Sequence, residues 1–201
     1  MLKNKKYQKV VAITGGIGTG KSLICKVFSV LGALVYSADD RAKYLVQNSV
    51  ILKSQICNLL GDEAYDFNGN YDRKFVSQKV FEDDSLLKQL NDLVHPCVKE
   101  DFESFINSNS NVPLIIYEAA LLINKDVVFD FLVWVDAPLE LRISRVIQRD
   151  KRSRDQVLAI IAKQPTPSQF TEIADFVVVN DNTQSVLKQI MHIKNELDLT
   201  L

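Results

Sequence analysis

The chain has 201 residues, of which 47% are hydrophobic and 24% charged, with a formal net charge of −1. This is ordinary globular composition, long enough to bury one core, and it makes a single domain spanning 1–201 the default expectation. The near-zero charge balance excludes a whole-protein positive field for a nucleic-acid backbone, and no apolar run reaches the roughly 18 residues of a membrane span.

In chain order, "KVVAIT" (9–14) is a short β-branched run and reads as a buried strand. "KSLICKVFSVLG" (21–32) places Ile24, Val27, Phe28 and Leu31 at helical spacing, with Gly32 as a stop. "ALVY" (33–36) reads as a second strand. From Asp39 to about Leu60 the pattern is helical, and Asn68-Gly69 carries turn chemistry. Further helices are expected over 72–82 and 85–107, with Pro96 kinking the second or marking its restart. "VPLIIYE" (112–118) and "DFLVWVD" (130–136) are apolar runs ending in an acid and read as buried parallel strands. Residues 138–149 read as helix, 150–169 as a polar, charge-rich stretch with prolines at 165 and 167, 175–180 as a last strand and 183–197 as a last helix.

Strands alternating with helices give an α/β fold with a mostly parallel sheet of about five strands. The helical stretch from about 39 to 110 is too long for a simple crossover and reads as an insertion at the sheet edge. Cys25, Cys57 and Cys97 lie far apart with no C-x-x-C pattern, which suggests reduced thiols in a cytosolic protein. The N-terminus lacks a signal-peptide pattern, so a cytoplasmic location is expected.

Gly15-Gly16-Ile17-Gly18-Thr19-Gly20-Lys21-Ser22 satisfies G-x-x-x-x-G-K-[ST] between a buried strand and a helix. In such a loop the backbone N–H groups of Gly16, Ile17, Gly18, Thr19, Gly20, Lys21 and Ser22 surround the phosphates of a nucleoside triphosphate. Glycine allows the close approach and the positive φ. Lys21 supplies a point charge for the β- and γ-phosphates, and the Ser22 hydroxyl is a ligand for Mg²⁺. The fold class that follows is a P-loop NTPase-like three-layer α/β fold. The loop alone does not separate kinases from GTPases or motors, although no guanine-reading N-K-x-D is present.

A small kinase also needs an acid at the acceptor hydroxyl, an acceptor-binding region and a lid that excludes water. Asp39, just after the second strand, is either a base or a helix cap. The segment "RVIQRDKRSR" (145–154) supplies lid arginines, Arg149 foremost, and 150–169 is the candidate lid. A solvated basic face is the alternative for that run.

The chain resembles the dephospho-CoA kinase family over nearly its whole length. "AITGGIGTGKS" is similar to the family's phosphate loop and "YSADDRAKYL" to its D-A-D segment, with Asp39 at the second acid. "NYDRKFVSQKVFEDD", "LNDLVHPCV", "VDAPLELRISRVIQRD" and "IADFVVVND" match further elements of the family at the same spacing. The resemblance implies transfer of a phosphoryl group from ATP to the ribose 3′-hydroxyl of dephospho-CoA, giving CoA and ADP with Mg²⁺. It implies Asp39 as base, Lys21 and Arg149 as stabilisers of the transferring group, and the helical insertion as the acceptor-binding region. Within that region Arg73 contacts the acceptor or starts a helix salt bridge, and His95 contacts the acceptor or packs beside Pro96. The enzyme is expected to act as a monomer or weak homo-oligomer. Four positions depart from the family pattern: Ser37 stands at the first acid of D-A-D, Ala120 and Asn124 stand at a proline and a glutamate position, which leaves Glu118 as a nearby substitute, and Ile160 stands at a lid arginine.

Overall fold

The computed structural model describes residues 8–81, 83–120, 127–164, 170 and 172–197. The chain divides into two compact units, one made of residues up to Ser37 and from Asn109 onward, the other of Ala38–Ser108.

The first unit is built on a five-stranded sheet. Its strands are β1 (Lys9–Thr14), β2 (Leu34–Ser37), β3 (Leu114–Glu118), β4 (Phe131–Asp136) and β5 (Phe176–Val179). They lie in the order β2-β3-β1-β4-β5, and every pairing is parallel. The apolar runs of β1, β3 and β4 are buried along almost their whole length, as strands covered on both faces must be. Helices α1 (Lys21–Val30) and, near the C-terminus, α8 (Val186–Glu196) pack on one core. Ile24, Cys25 and Phe28 of α1 and Ile190 and Ile193 of α8 meet Val11, Ile13, Val133 and Val135 of the sheet there. Parallel pairing brings the carboxyl ends of all five strands to one edge, where the β1–α1 loop lies.

The second unit is helical. It contains α2 (Ala38–Asn48), α3 (Val50–Leu60), α4 (Arg73–Phe81) and α5 (Asp84–Ser108). Its core is Leu52, Ile56 and Leu60 of α3 against Val46, Val76, Leu90 and the ring of Tyr65. Arg41 of α2 makes a two-pronged ion pair with Asp101 of α5, at 2.8 and 2.5 Å. Gln47 grips the turn that follows Asn68-Gly69, donating to the Gly69 carbonyl at 3.1 Å and accepting from the Tyr71 N–H at 2.9 Å.

Three local expectations change. The helical stretch from Asp39 to Leu60 is two helices, because Ser49 is extended (φ −80°, ψ 115°) and its hydroxyl caps α3 by accepting from Leu52 N–H. Helix α5 runs on through Pro96, so the proline marks no restart. The polar 150–169 stretch contains a helix, α7 (Arg154–Ala162), which follows α6 (Leu139–Asp150). Ser153 and Gln156 form a reciprocal capping box at its start, a signal outweighed in the sequence by the density of charge. Pro165 and Pro167 fall outside the described residues.

Candidate active site

The loop between β1 and α1 starts from the innermost strand of the sheet. Helix α1 begins at Lys21 with Gly20 as its N-cap, which has φ 95° and supplies no side-chain cap. No acid lies in its first turn. The positive end of the helix therefore meets neither a capping side chain nor a first-turn acid, and suits an anion. Lys21 Nζ lies over its own loop, donating to the carbonyls of Gly15 (2.7 Å) and Gly16 (3.3 Å).

Ser22 Oγ donates to Glu118 Oε1 at 3.0 Å. Glu118 ends β3 and sits in register with Ile13 of β1 on one side and Ser37 of β2 on the other. The carboxylate bonded to Ser22 thus comes from β3, beside the strand whose own end carries Ser37. A hydroxyl and a carboxylate are hard oxygen donors and suit Mg²⁺, which keeps several waters and substrate phosphates and needs no protein cage. Among the described residues no group of three or more His, Cys, Asp or Glu forms such a cage. Burial, and then the Glu118 carboxylate, push the Cys25 thiol well above its ordinary value, so it stays neutral.

The outer side of the loop is covered by the protein itself. Arg142 of α6 is buried, and its Nε donates to the Ile17 carbonyl at 3.0 Å. The Ile17 N–H donates to Gln164 Oε1 at 2.9 Å, so one residue of the loop is held from both sides. Asn180, just after β5 and also buried, donates to the Thr19 carbonyl at 2.8 Å. Arg145 reaches the carbonyls of Gly18 and Thr19 at 3.4 and 3.5 Å and Asn182 Oδ1 at 2.8 Å. Burial pulls the Arg142 guanidinium below its ordinary value, while the Asp136 carboxylate pushes it back up.

This covering gives a second reason for the glycines. A Cβ at Gly15 would lie 2.5 Å from the Val135 carbonyl oxygen, and one at Gly18 would lie 2.5 Å from that of Arg142. At Gly16 it would overlap the Arg142 guanidinium, and at Gly20 the Asn180 amide. The sequence explains glycine by the approach of phosphate; the structure adds the approach of β4, α6 and Asn180 from behind.

Arg149 lies one to two turns beyond Arg142 and Arg145 on the same side of α6, at i+7 and i+4. It makes a two-pronged pair with Asp150 at 2.7 and 2.9 Å, which raises the guanidinium above its ordinary value and lowers the carboxyl. Arg154, another of the lid arginines, pairs with Glu140 at the other end of α6, at 2.6 and 2.8 Å. The remaining candidates belong to the helical unit. Helix α2 begins at Ala38, so Asp39 is the second residue inside the helix and not its cap, and it is exposed. Arg73 opens α4 and lines a cavity of about 430 Å³ with Tyr44, Val46, Gln47 and Tyr71. His95 is half-buried within α5. Asn124 falls outside the described residues.

Sequence reading missed Arg142, Gln164 and Asn180. Each acts on backbone far away in the chain; the family-matching segments 135–150 and 173–181 contain Arg142 and Asn180 without singling either out. The family model for dephospho-CoA kinase matches the chain over residues 9–185.

The chain belongs to the dephospho-CoA kinase family.

Dephospho-CoA kinase of Bacteroides fragilis is 32% identical over 185 residues, covering 91% of this chain and 90% of that one. A crystal structure of TT1252 from Thermus thermophilus superposes with a TM-score of 0.84 at 27% identity, covering 97% of this chain and all of that one. Dephospho-CoA kinase from Campylobacter jejuni, 21% identical with a TM-score of 0.62 and covering 94% of this chain and 97% of that one, shares the fold. This chain is a kinase of that family.

Proposed function

We propose that the protein transfers the γ-phosphoryl group of ATP to the ribose 3′-hydroxyl of dephospho-CoA, releasing CoA and ADP. The observation that carries the reading is the meeting of Lys21, the start of α1 with no acid in its first turn and the Ser22–Glu118 pair at the carboxyl edge of the sheet, in a chain of this family.

Phosphoryl transfer asks for positioning and charge neutralisation more than for covalent chemistry. The backbone N–H groups from Gly16 to Ser22 bind the phosphates. Lys21 exchanges the carbonyls of its own loop for the β- and γ-phosphate oxygens. Ser22, with Glu118 behind it, would hold Mg²⁺, which would supply charge neutralisation of the phosphate oxygens. Asp39 orients the acceptor hydroxyl and takes its proton. Arg149 exchanges Asp150 for the transferring phosphoryl group. Arg73 and His95 bind the acceptor within the helical region of about 39–110, and 150–169 closes over the nucleotide. The whole chain works as one kinase domain, a monomer or weak homo-oligomer in the cytoplasm. No helix among the described residues is long and apolar enough to cross a membrane.

Incubation with ATP, Mg²⁺ and a panel of acceptors tests this, with each product identified by mass and the phosphate located by fragmentation. The expected product is CoA, phosphorylated at the 3′-oxygen. Preferred phosphorylation of a nucleoside or nucleoside monophosphate would replace the reading with another small-molecule kinase. ATP binding with no acceptor-dependent turnover would replace it with a nucleotide-binding regulator.

A further inference from the structure

The hydrogen bonds on the outer side of the glycine loop fall on successive carbonyls: Ile17 to Arg142, Gly18 to Arg145, and Thr19 to both Arg145 and Asn180. All peptide bonds here are trans. In a trans peptide the carbonyl and the N–H of the next residue point in opposite directions. A donor that pulls the Ile17 carbonyl outward therefore turns the Gly18 N–H inward. A donor that pulls the Thr19 carbonyl outward does the same to the Gly20 N–H. Both glycines have positive φ, 79° and 95°, where other residues are strained, and the peptides on either side of a glycine rotate easily. Without a hold on its carbonyls such a loop has many orientations of nearly equal energy.

We propose that Arg142 and Asn180 are positioning residues for nucleotide binding. They fix the Ile17–Gly18 and Thr19–Gly20 peptide planes so that the Gly18 and Gly20 N–H groups face the phosphates before ATP arrives. Neither side chain touches the nucleotide in this role. Each is buried, 7% exposed for Arg142 and 6% for Asn180, and each acts through backbone more than a hundred residues away in sequence, 125 and 161 positions respectively. Gln164 strengthens the hold by taking the Ile17 N–H and standing 3.4 Å from Arg142 Nη2. Arg145 contributes less, since its contacts to the Gly18 and Thr19 carbonyls are at 3.4 and 3.5 Å. Preorganisation of this kind raises affinity by removing the ordering cost of the loop from the binding step.

The proposal rests on the loop being the phosphate site, so ADP binding by the wild-type chain is measured first, by calorimetry; its failure would overturn that reading and this one together. Given wild-type binding, saturation with ADP is expected to move the amide proton signals of Gly18 and Gly20 strongly downfield. If both stay where they were, their N–H groups do not face the phosphates and the proposal is wrong, whatever any variant does. Asn180→Leu and Arg142→Met each remove one donor at similar volume. Folded variants are expected to bind ADP about 10-fold more weakly, the size of one lost hydrogen bond. Arg142→Lys, which keeps a donor of similar reach, should recover part of the loss. A purely structural role would lower the unfolding midpoint alone. Folded variants that bind ADP within about 2-fold of wild type, with unchanged Gly18 and Gly20 signals, would overturn the proposal.

Discussion

The glycine loop and the helical unit Ala38–Ser108 are stabilised by different kinds of contact. The loop is enclosed by polar groups that reach it from far along the chain: Arg142, Arg145, Gln164 and Asn180 on its carbonyls and N–H, with Glu118 on Ser22 just beyond it. The helical unit is held by aliphatic packing of Leu52, Ile56 and Leu60 on Val46, Val76 and Leu90, and its candidate residues Asp39 and Arg73 are exposed on the outside of that core. In the loop, a change of side chain therefore alters backbone geometry. In the helical unit, a candidate residue stands on packing that it does not itself supply, and its loss should cost chemistry or affinity while leaving the fold intact.

The strongest test of that contrast takes one residue from each region. Lys21→Ala and Asp39→Asn are each expected to lower phosphoryl transfer about 10²- to 10⁴-fold, in the range of lost charge stabilisation or a lost base. Only Asp39→Asn should keep ATP affinity close to wild type, as read by calorimetry beside initial rates. Near-wild-type turnover of Asp39→Asn would remove it from the chemistry and break the comparison on the helical side.

Leu52→Ala separates packing from chemistry. It should destabilise the protein by about 2–5 kcal/mol in chemical denaturation, because Leu52 is fully buried. A loss below about 1 kcal/mol would show that the helical core collapses around the gap, or that the unit is held by its polar contacts after all.

A smaller effect is expected where the loop meets Glu118. Ser22→Ala and Glu118→Gln should each raise the Mg²⁺ concentration needed for half-maximal rate by about 10- to 100-fold, with the rate partly recovered at high metal. An unchanged metal requirement in Glu118→Gln would mean that β3 does not supply the acid for the metal. The smallest effect belongs to Arg73→Ala. It should raise KM for dephospho-CoA about 10-fold and leave KM for ATP and the unfolding midpoint alone, as loss of one charge-assisted contact would. A matching rise in KM for ATP would erase the division between the two regions.

The same contrast explains what was legible in the sequence. β1, the loop and α1 are contiguous, so motif, strand and helix could be read together, and the alternation of apolar runs gave all five parallel strands to within two residues at each end. The break at Ser49 and the helix α7 were marked by serine caps, but a cap is a short signal set against longer stretches of helical spacing or charge. The basic run 145–154 reads as a set of lid arginines, yet the structure has Arg145 at the loop and Asn182, Arg149 on Asp150 and Arg154 on Glu140. A run of charge does not name the partner of each residue in it. Arg142 and Asn180 lie inside segments that the sequence marks, but their roles are not legible there because what they hold is main chain, whose carbonyls carry no sequence signature.

The most direct test of the account is ADP release from the purified protein with ATP and Mg²⁺, with and without dephospho-CoA. The account predicts slow release alone and a large increase on adding dephospho-CoA, with CoA formed in equal amount. ADP release that does not respond to dephospho-CoA would contradict it.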